Sequence, residues 1–557
     1  MNSNAPLRQY SASDERQLRA ASADLLALGA HHRALQRPLF HGEEDVYPSF
    51  VERAEGCRFV DADGREFIDW VSGAGCALLG YAHPAVQAAI VSQVSAGPRL
   101  SLQTRVEVQL ARELVELIPC AEMAAFAKSG SDCLTAAVRA ARAHTGRMTV
   151  LYQAYHGWHD WFAARILNRP GLPHESSKHL RHFPYNDLAA LEELLATTEG
   201  GVAAVVLEPM NFEPPHAGYL AGVRELCTKH GALLVFDELW TWYRLARGGA
   251  QEAYGVLPDF ACYGKALGNG MPLSAIVGPR RYMRLLPSVM LGMTHREESL
   301  SLAAGLAVLS VVRSEPVVEH VQSIGRRLRS ALDEQIARHG LVCSIDGMDA
   351  RLAVHFADQG GLRREHLLAL LLRECAARGV LTSGLIGPNY AHDEAALTRS
   401  IQVFDEAFAV VAAAVRGNGA AAPSASSVAR PLAHVEGHVD HFAPDGAGAL
   451  AVSGWMLVDS TAAERIEFAL PDGTLVAAEA TPRPDVVNAL HLAPSAASCG
   501  FAVRLPEAGA LRDGAWELEL RVRAAGEVVL RCPLMLRPGW QRAVLTGPAW
   551  LGIGVGN

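Results

Sequence analysis

Asp259-Phe260-Ala261-Cys262-Tyr263-Gly264-Lys265-Ala266-Leu267-Gly268-Asn269-Gly270 carries an apolar run straight into a lysine set among glycines. Upstream, a second apolar run, Ala232-Leu233-Leu234-Val235-Phe236, is closed by Asp237. Apolar runs of this length without alternation read as strands buried on both faces, the kind found in parallel sheets. The chain holds four lysines, at positions 128, 178, 229 and 265, among 50 Lys and Arg residues. Lys178 lies in a polar loop, and Lys229 lies near a helix end, where a cation suits the macrodipole. Lys265 is the one that an apolar run leads into and glycines surround. An aspartate after one such strand and a lysine after the next form the pair that pyridoxal 5'-phosphate (PLP) requires. The lysine forms the imine, and the aspartate holds the pyridine nitrogen.

Outward from this pair, helical stretches alternate with short apolar runs from about residue 85 to 411. Val202 to Leu207, Ala232 to Phe236 and Phe260 to Tyr263 read as buried strands, and Leu220 to His230 as a helix between them. This is the pattern of an α/β fold with a parallel sheet. Residues 306–338 and 364–378 read as helices. Residues 13–35 have helical spacing, and Arg58 to Trp70 reads as strand, Asp-Gly turn, strand. The expected division is an N-terminal arm with part of a small domain (1–84), a large PLP-binding domain (85–300) and a small α/β domain (301–416). A linker of small residues (417–431) and an all-β module (432–557) follow. In that module Ile466 to Val476 and Trp516 to Leu530 read as hairpins, and a sandwich is expected.

Half of the 557 residues are apolar and a fifth charged, the balance of a soluble globular protein. The net charge of -9, without a basic cluster, argues against nucleic-acid binding. The ten cysteines are scattered with no Cys-x-x-Cys pair, so no zinc site is expected and a reducing, cytoplasmic location fits. No apolar run reaches the length of a membrane span. The N-terminus lacks the apolar core of a signal peptide.

Lys128 precedes Ser129-Gly130-Ser131-Asp132, a turn that opens a helix over Leu134 to His144. Free N–H groups at such a helix start bind phosphate; the same turn is also an ordinary N-cap. In chain order there follow Tyr155-His156-Gly157-Trp158-His159, Glu208-Pro209, Asp237-Glu238-Leu239 and Lys265. This set, with Arg244 to Gln251 and Tyr254-Gly255-Val256-Leu257-Pro258-Asp259, resembles the class III aminotransferases, most nearly the glutamate-1-semialdehyde aminomutase branch. The resemblance spans about residues 37–416. It implies a fold-type I PLP-dependent transferase, with a large domain built on a mostly parallel seven-stranded sheet and a small α/β domain. It also implies a homodimer with shared active sites.

By that resemblance Lys265 holds PLP as a Schiff base and serves as general base, and Asp237 pairs with the ring nitrogen. Tyr155 stacks on the ring, and Ser129, Gly130 and Ser131 hold the phosphate. His156, Leu239 and Glu208 lie beside the cofactor, and Thr294 reaches the phosphate of the neighbouring subunit. The implied reaction moves an amino group between a small-molecule amino donor and a keto or aldehyde acceptor. An aminomutase on a different substrate and a catalytically silent PLP-fold protein are the alternatives.

Several positions depart from the family pattern. Lys128 replaces the usual Asn, and Leu239-Trp240-Thr241-Trp242 is bulkier than usual. Gly73-Ala74-Gly75-Cys76 stands for Ser-Trp-Gly-Pro, which should enlarge that side of the pocket. Phe40 stands where an arginine is common, and Glu297-Glu298-Ser299 replaces Gly-Asn-Pro. These changes argue against glutamate-1-semialdehyde as substrate. The C-terminal module resembles β modules attached to bacterial glycosyltransferases, through segments such as Ser453-Gly454-Trp455 and Cys499-Gly500-Phe501. That resemblance implies a glycan or protein contact as its role. Trp455 and Trp516 read as sandwich core, with sugar-stacking platforms as the other reading.

Overall fold

The structure is a computed structural model. It describes residues 18, 46–98, 101–166, 172 and 174–417, and beyond these residues 435–444, 450–458, 461–462, 464–470, 474–482, 498–505, 516–524, 527–536 and 544–545. The expected helix over 13–35, Phe40 and nearly all of the linker lie outside the described residues. The described residues form two compact units, one from 46 to 417 and the other from 435 onward.

The first unit is built on β4 (Met123–Ala127), β5 (Thr149–Gln153), β6 (Leu180–His182), β7 (Val202–Leu207), β8 (Leu233–Asp237), β9 (Phe260–Tyr263) and β10 (Ser274–Gly278). They make one seven-stranded sheet in the order β4-β10-β9-β8-β7-β5-β6. From β6 to β9 neighbours run parallel. Only β10 is antiparallel to both its neighbours. Every residue of β5, β7, β8, β9 and β10 is buried, which is why these strands lack an apolar–polar alternation. Helices Gly130–Thr145, Leu188–Thr197 and Tyr219–His230 connect the parallel strands. Tyr219–His230 ends at Gly231, whose φ of 66° is the left-handed conformation that closes a helix without a Cβ clash.

A smaller α/β region completes this unit. β1 (Val51–Glu55), β2 (Arg58–Asp61) and β3 (Glu66–Asp69) form a meander, and β3 pairs in parallel with β13 (Val380–Leu381). The turn between β2 and β3 runs through Gly64 at φ 81°. β11 (Cys343–Met348), β12 (Arg351–Phe356) and β14 (Leu385–Ile386) form a second small sheet. Trp70, Leu328, Leu352, Leu371, Phe404 and Phe408 fill the core beside them. The helix expected over 306–338 is two helices, Ser299–Ser314 and Val317–His339. Pro316 breaks them: it lacks an N–H and keeps Glu315 extended, at φ -125° and ψ 154°. No single helix among the described residues is long and apolar enough to cross a membrane.

The second unit is all β. β15 (Val435–Pro444), β16 (Leu450–Val458), β20 (Glu479–Thr481) and β21 (Gly500–Leu505) lie in one antiparallel sheet, with β17 (Thr461–Ala462) on β16. β18 (Arg465–Ala469), β19 (Leu475–Ala477), β22 (Trp516–Ala524), β23 (Glu527–Leu536) and β24 (Val544–Leu545) make the other. Both expected hairpins are present, as β18–β19 and β22–β23. Buried Phe468 of one sheet meets buried Phe501 of the other, with ring centroids 5.9 Å apart. Trp455 and Trp516 stand in β16 and β22, and their side chains lie outside the described residues.

The first unit ends with helix Glu394–Val415, whose inner face is buried within that unit. A chain ending after Gly417 is therefore expected to fold cooperatively and take up PLP with the stoichiometry of the full chain. Calorimetric unfolding and cofactor absorbance check this; an insoluble or PLP-free product would make the β module integral to the fold.

Candidate active site

Parallel strands end at a common edge, and the loops leaving that edge meet in space. Glu208 directly follows β7, Asp237 is the last residue of β8, and Lys265 lies two residues beyond β9. The β8–β9 register sets Asp237 opposite Cys262. Tyr155 and His156 follow β5 on the same edge. Lys265 starts a short 3-10 turn at φ 45°, a left-handed conformation in a residue with a Cβ. Such strain costs about 1–3 kcal/mol and persists where the surroundings enforce it.

The charges on this rim are interlocked. Burial pushes the Lys265 ammonium below its ordinary value, while Asp237 and Glu208 pull it back up. A depressed lysine keeps more of the neutral amine that attacks carbonyls. His156 is buried, with Nδ1 2.9 Å from Asp237 Oδ2 and Nε2 2.6 Å from the carbonyl oxygen of Gln153. A carbonyl only accepts, so Nε2 carries a hydrogen, and the proton on the other side is held between Nδ1 and the carboxylate. Asp237 Oδ1 accepts from the Leu239 N–H at 3.2 Å. His156 thus stands behind Asp237 and orients it.

The Ser129-Gly130-Ser131-Asp132 turn opens helix Gly130–Thr145. Ser129 is its N-cap: its Oγ donates to Asp132 Oδ2 at 2.8 Å and its N–H donates to the same oxygen at 2.7 Å. The Ser129 side chain is therefore committed to the cap. The N–H groups of Gly130 and Ser131 belong to the first turn, where helices have no internal acceptor. The turn is tight: a Cβ on Gly130 would stand 2.1 Å from Leu239, and one on Gly157 2.3 Å from Ser131 Oγ. Lys128 does not extend into solvent. Its Nζ is 3.0 Å from Glu298 Oε2, and Glu298 in turn caps helix Ser299–Ser314. Two separate departures from the family pattern are thus one ion pair. Tyr155 is 54% exposed, its ring against Phe162, and Thr294 is also exposed.

Sequence reading missed the residues opposite this rim. Arg351, the first residue of β12, is buried and pairs with Glu208 at 3.2 Å. Its guanidinium carbon lies 4.4 Å from the Phe212 ring and 4.3 Å from the Trp240 ring. Lys265 Nζ and the Arg244 guanidinium each lie 5.1 Å from the Trp240 ring centroid. Arg244 is buried, and its guanidinium donates from Nη2 to the Gly75 carbonyl at 2.7 Å. Burial lowers it to about 10. Arg244 Nε and Nη1 and Arg351 Nε are buried without an acceptor. An unmet buried donor costs about 1–3 kcal/mol. The Trp240 ring stands against the Gly73-Ala74-Gly75 segment where a larger pocket was expected: a Cβ on Gly75 would lie 2.5 Å from it. The one signal for this cluster in the sequence was the bulk of Trp240.

Glu238, next to Asp237, is fully buried and accepts from the Ala250 and Gln251 N–H groups and from the Thr241 hydroxyl. Burial, the largest influence, raises its carboxyl to about 7. Between the ordinary glutamate value and about 7, the folded protein holds a proton that the unfolded chain has released. Stability from this group is therefore present at low pH and lost as pH climbs through about 7, roughly 3 kcal/mol in all. Glu238→Gln should flatten the fall in melting temperature between about pH 5 and 8; parallel wild-type and variant profiles would refute this. Lys265→Ala should leave no borohydride-fixable lysine adduct of PLP, read by mass spectrometry. Asp237→Ala should lower turnover at least about 100-fold, the loss expected if this carboxylate holds the ring nitrogen of the cofactor.

Comparison with known proteins agrees with this geometry. Residues 40–407 match the Aminotransferase class-III family. The glutamate-1-semialdehyde 2,1-aminomutase of Syntrophobacter fumaroxidans is 37% identical over 314 residues, covering 53% of this chain and 72% of that protein. The 3-aminobutyryl-CoA aminotransferase of Cloacimonas acidaminovorans is 33% identical over 328 residues, covering 57% and 78%. Among solved structures, the FumI protein of Sphingopyxis sp. MTA144, with PLP, superposes with a TM-score of 0.66 at 27% identity over 72% of this chain and 96% of that one. Strand order, rim residues and sequence kinship converge: this chain belongs to the class III aminotransferases and is a PLP-dependent enzyme of fold type I.

Proposed function

We propose that the protein moves an amino group between a small-molecule amino donor and a keto or aldehyde acceptor, with Lys265 as the residue that captures PLP. The observation that carries this reading is the placement of Lys265 and Asp237 at the ends of adjacent parallel strands, with the Asp237 charge acting on the Lys265 ammonium. The residues fit the cofactor. A first helical turn offers the Gly130 and Ser131 N–H groups to a phosphate, in a cradle that a Cβ at Gly130 would fill. Asp237, braced by His156, faces the ring nitrogen, and Tyr155 covers the ring. When bound, PLP supplies an electron sink for the carbon bearing the substrate amine.

The chain's own groups do the rest. The Lys265 amine, once released, takes and returns the proton at the substrate carbon. His156 holds the Asp237 carboxylate in place. Leu239 closes the floor beneath the phosphate turn. Glu208, held by Arg351, borders the substrate side.

We read the working form as a homodimer. Tyr155 at 54% exposure, Trp158 at 69% and Met290 at 78% are large apolar side chains left open. A second copy would cover such groups, and Thr294 would then reach the partner's phosphate site. Cys57, Cys120, Cys133, Cys227, Cys262 and Cys375 of the catalytic unit are buried thiols outside any disulfide, which supports a reducing, cytoplasmic setting. We read the C-terminal unit as a β-sandwich attached through the linker 417–431. The domain limits 1–84, 85–300 and 301–416 are kept as the proposed division of the catalytic unit.

The 3-aminobutyryl-CoA aminotransferase and aminomutase relatives mark the two outcomes open to this machinery. A half-reaction screen separates them. PLP-loaded protein is mixed with candidate amines, and the visible cofactor band and the carbonyl product are followed together. Transamination is expected to bleach the band and accumulate a keto acid or aldehyde without any acceptor. Return of the amine to the same skeleton, with no free carbonyl product, would favour the aminomutase. No bleaching by any amine would overturn both.

A further inference from the structure

Lys128 and Glu298 stand 170 positions apart in the chain and meet as one ion pair at 3.0 Å, each side chain less than a fifth exposed. Lys128 follows the last residue of β4 and precedes Ser129, the N-cap of helix Gly130–Thr145. The Ser274 hydroxyl donates to the Ser129 carbonyl at 2.8 Å, and the Asp132 carboxylate holds the Ser129 hydroxyl and N–H. These bonds do not engage the Gly130 and Ser131 N–H groups. Glu298 is in turn the N-cap of helix Ser299–Ser314. Its carboxylate accepts from the Ser301 hydroxyl at 2.6 Å, from the Ser301 N–H at 3.2 Å and from the Leu300 N–H. Burial opposes its charge, but Ser301 and Lys128 outweigh burial, so the carboxyl lies below its ordinary value and stays ionised at neutral pH. The same helix reaches the lysine turn. A Cβ on Gly305 would stand 3.3 Å from the Leu267 carbonyl oxygen and 2.6 Å from Leu273 Cδ2, and Leu267 belongs to the short turn that begins at Lys265. From its cap to Gly305 the helix rises roughly 10 Å, at about 1.5 Å per residue. One rigid element therefore touches both ends of the cofactor site: the phosphate turn through Lys128, and the lysine turn through Gly305.

We infer that the Lys128–Glu298 pair is a positioning device for the cofactor phosphate. It locks the Ser129-Gly130-Ser131 turn to the helix that backs the Lys265 turn, and so sets the span between the phosphate site and the amine. This rests on the reading above, in which Lys265 captures PLP and the turn holds its phosphate, and it gives Lys128 a role there. The charge of Lys128 is matched by Glu298, so its contribution is geometric: the first-turn N–H groups are held at a fixed distance from Lys265 before the ligand arrives, and a preformed site loses less freedom on binding. A lysine free of any partner beside the turn would instead attract the phosphate by its charge. The two roles give opposite results when Glu298 loses its charge.

The test uses the full-length chain freed of cofactor and compares PLP with pyridoxal, which has the same ring and aldehyde without the phosphate. Uptake of each is titrated by the visible absorbance band. Lys128→Met is expected to weaken PLP uptake at least about tenfold and to leave pyridoxal uptake within about twofold. Glu298→Gln keeps an acceptor for the helix cap and should weaken PLP in the same way. The double variant should lose no more than Lys128→Met alone, because both changes remove one interaction. Lys128→Arg, which can keep the pair, should retain most of the wild-type preference for PLP. Near-UV circular dichroism and melting temperature show that each variant is folded; if the methionine variant is not, Glu298→Gln carries the comparison. A pair that only stabilises the fold would weaken PLP and pyridoxal alike. Equal losses of the two ligands, unchanged affinities, or tighter PLP binding by Glu298→Gln would overturn the inference and leave the aminotransferase reading standing. A wild-type chain that takes up neither ligand would overturn both.

Discussion

Two adjacent parallel strands that stop at the same edge impose the geometry on which everything else in this protein rests. β8 delivers Asp237 as its last residue, and β9 delivers Lys265 two residues further on. Because the pairing sets Asp237 opposite Cys262, the carboxylate and the amine cannot drift apart without breaking the central sheet. Every residue of both strands is buried, so slipping the register would expose apolar surface on both faces. The left-handed turn at Lys265 is tolerated because this sheet holds it from one side and the buried Ala266-Leu267 pair anchors it from the other.

The electrostatics of the rim follow from burial more than from any single pair. Desolvation pushes Lys265 down and Glu208 up, toward neutral forms, and each is restrained by opposite charges. Asp237 escapes isolation through His156, which spends its second nitrogen on a backbone carbonyl. The buried Arg351–Glu208 pair joins the small α/β region to the catalytic edge, and loss of either partner would strand the other at a cost of about 3–5 kcal/mol. Trp240 is the shared neighbour of Lys265, Arg244 and Arg351, so one aromatic ring serves three cations.

Positions that look like unrelated departures in one dimension pair up in three. Lys128 before the phosphate turn and Glu298 at the start of a distant helix form an ion pair that ties the turn to that helix. The tryptophan missing from residues 73–76 is matched by Trp240, whose ring rests on Gly75. That wall of the site is thus made by a tryptophan ring with two guanidinium groups against it.

The α/β class, the strand-ending acid, the lysine after the next strand and the Ser-Gly-Ser turn at a helix start were all readable from residue order. Each is a local signal: buried parallel strands show as unbroken apolar runs, and catalytic groups follow them at strand ends. The change to an all-β module after the linker was readable for the same reason, since its strands carry their own short-range pattern. Pairings between residues hundreds of positions apart were not. Nothing near Arg351 announces that β12 will point it at Glu208, nothing near His156 says that it will brace Asp237, and nothing in Gly75 foretells the ring of Trp240. Those meetings are set by how helices and strands stack, and side-chain contacts at long sequence separation leave no periodicity to read.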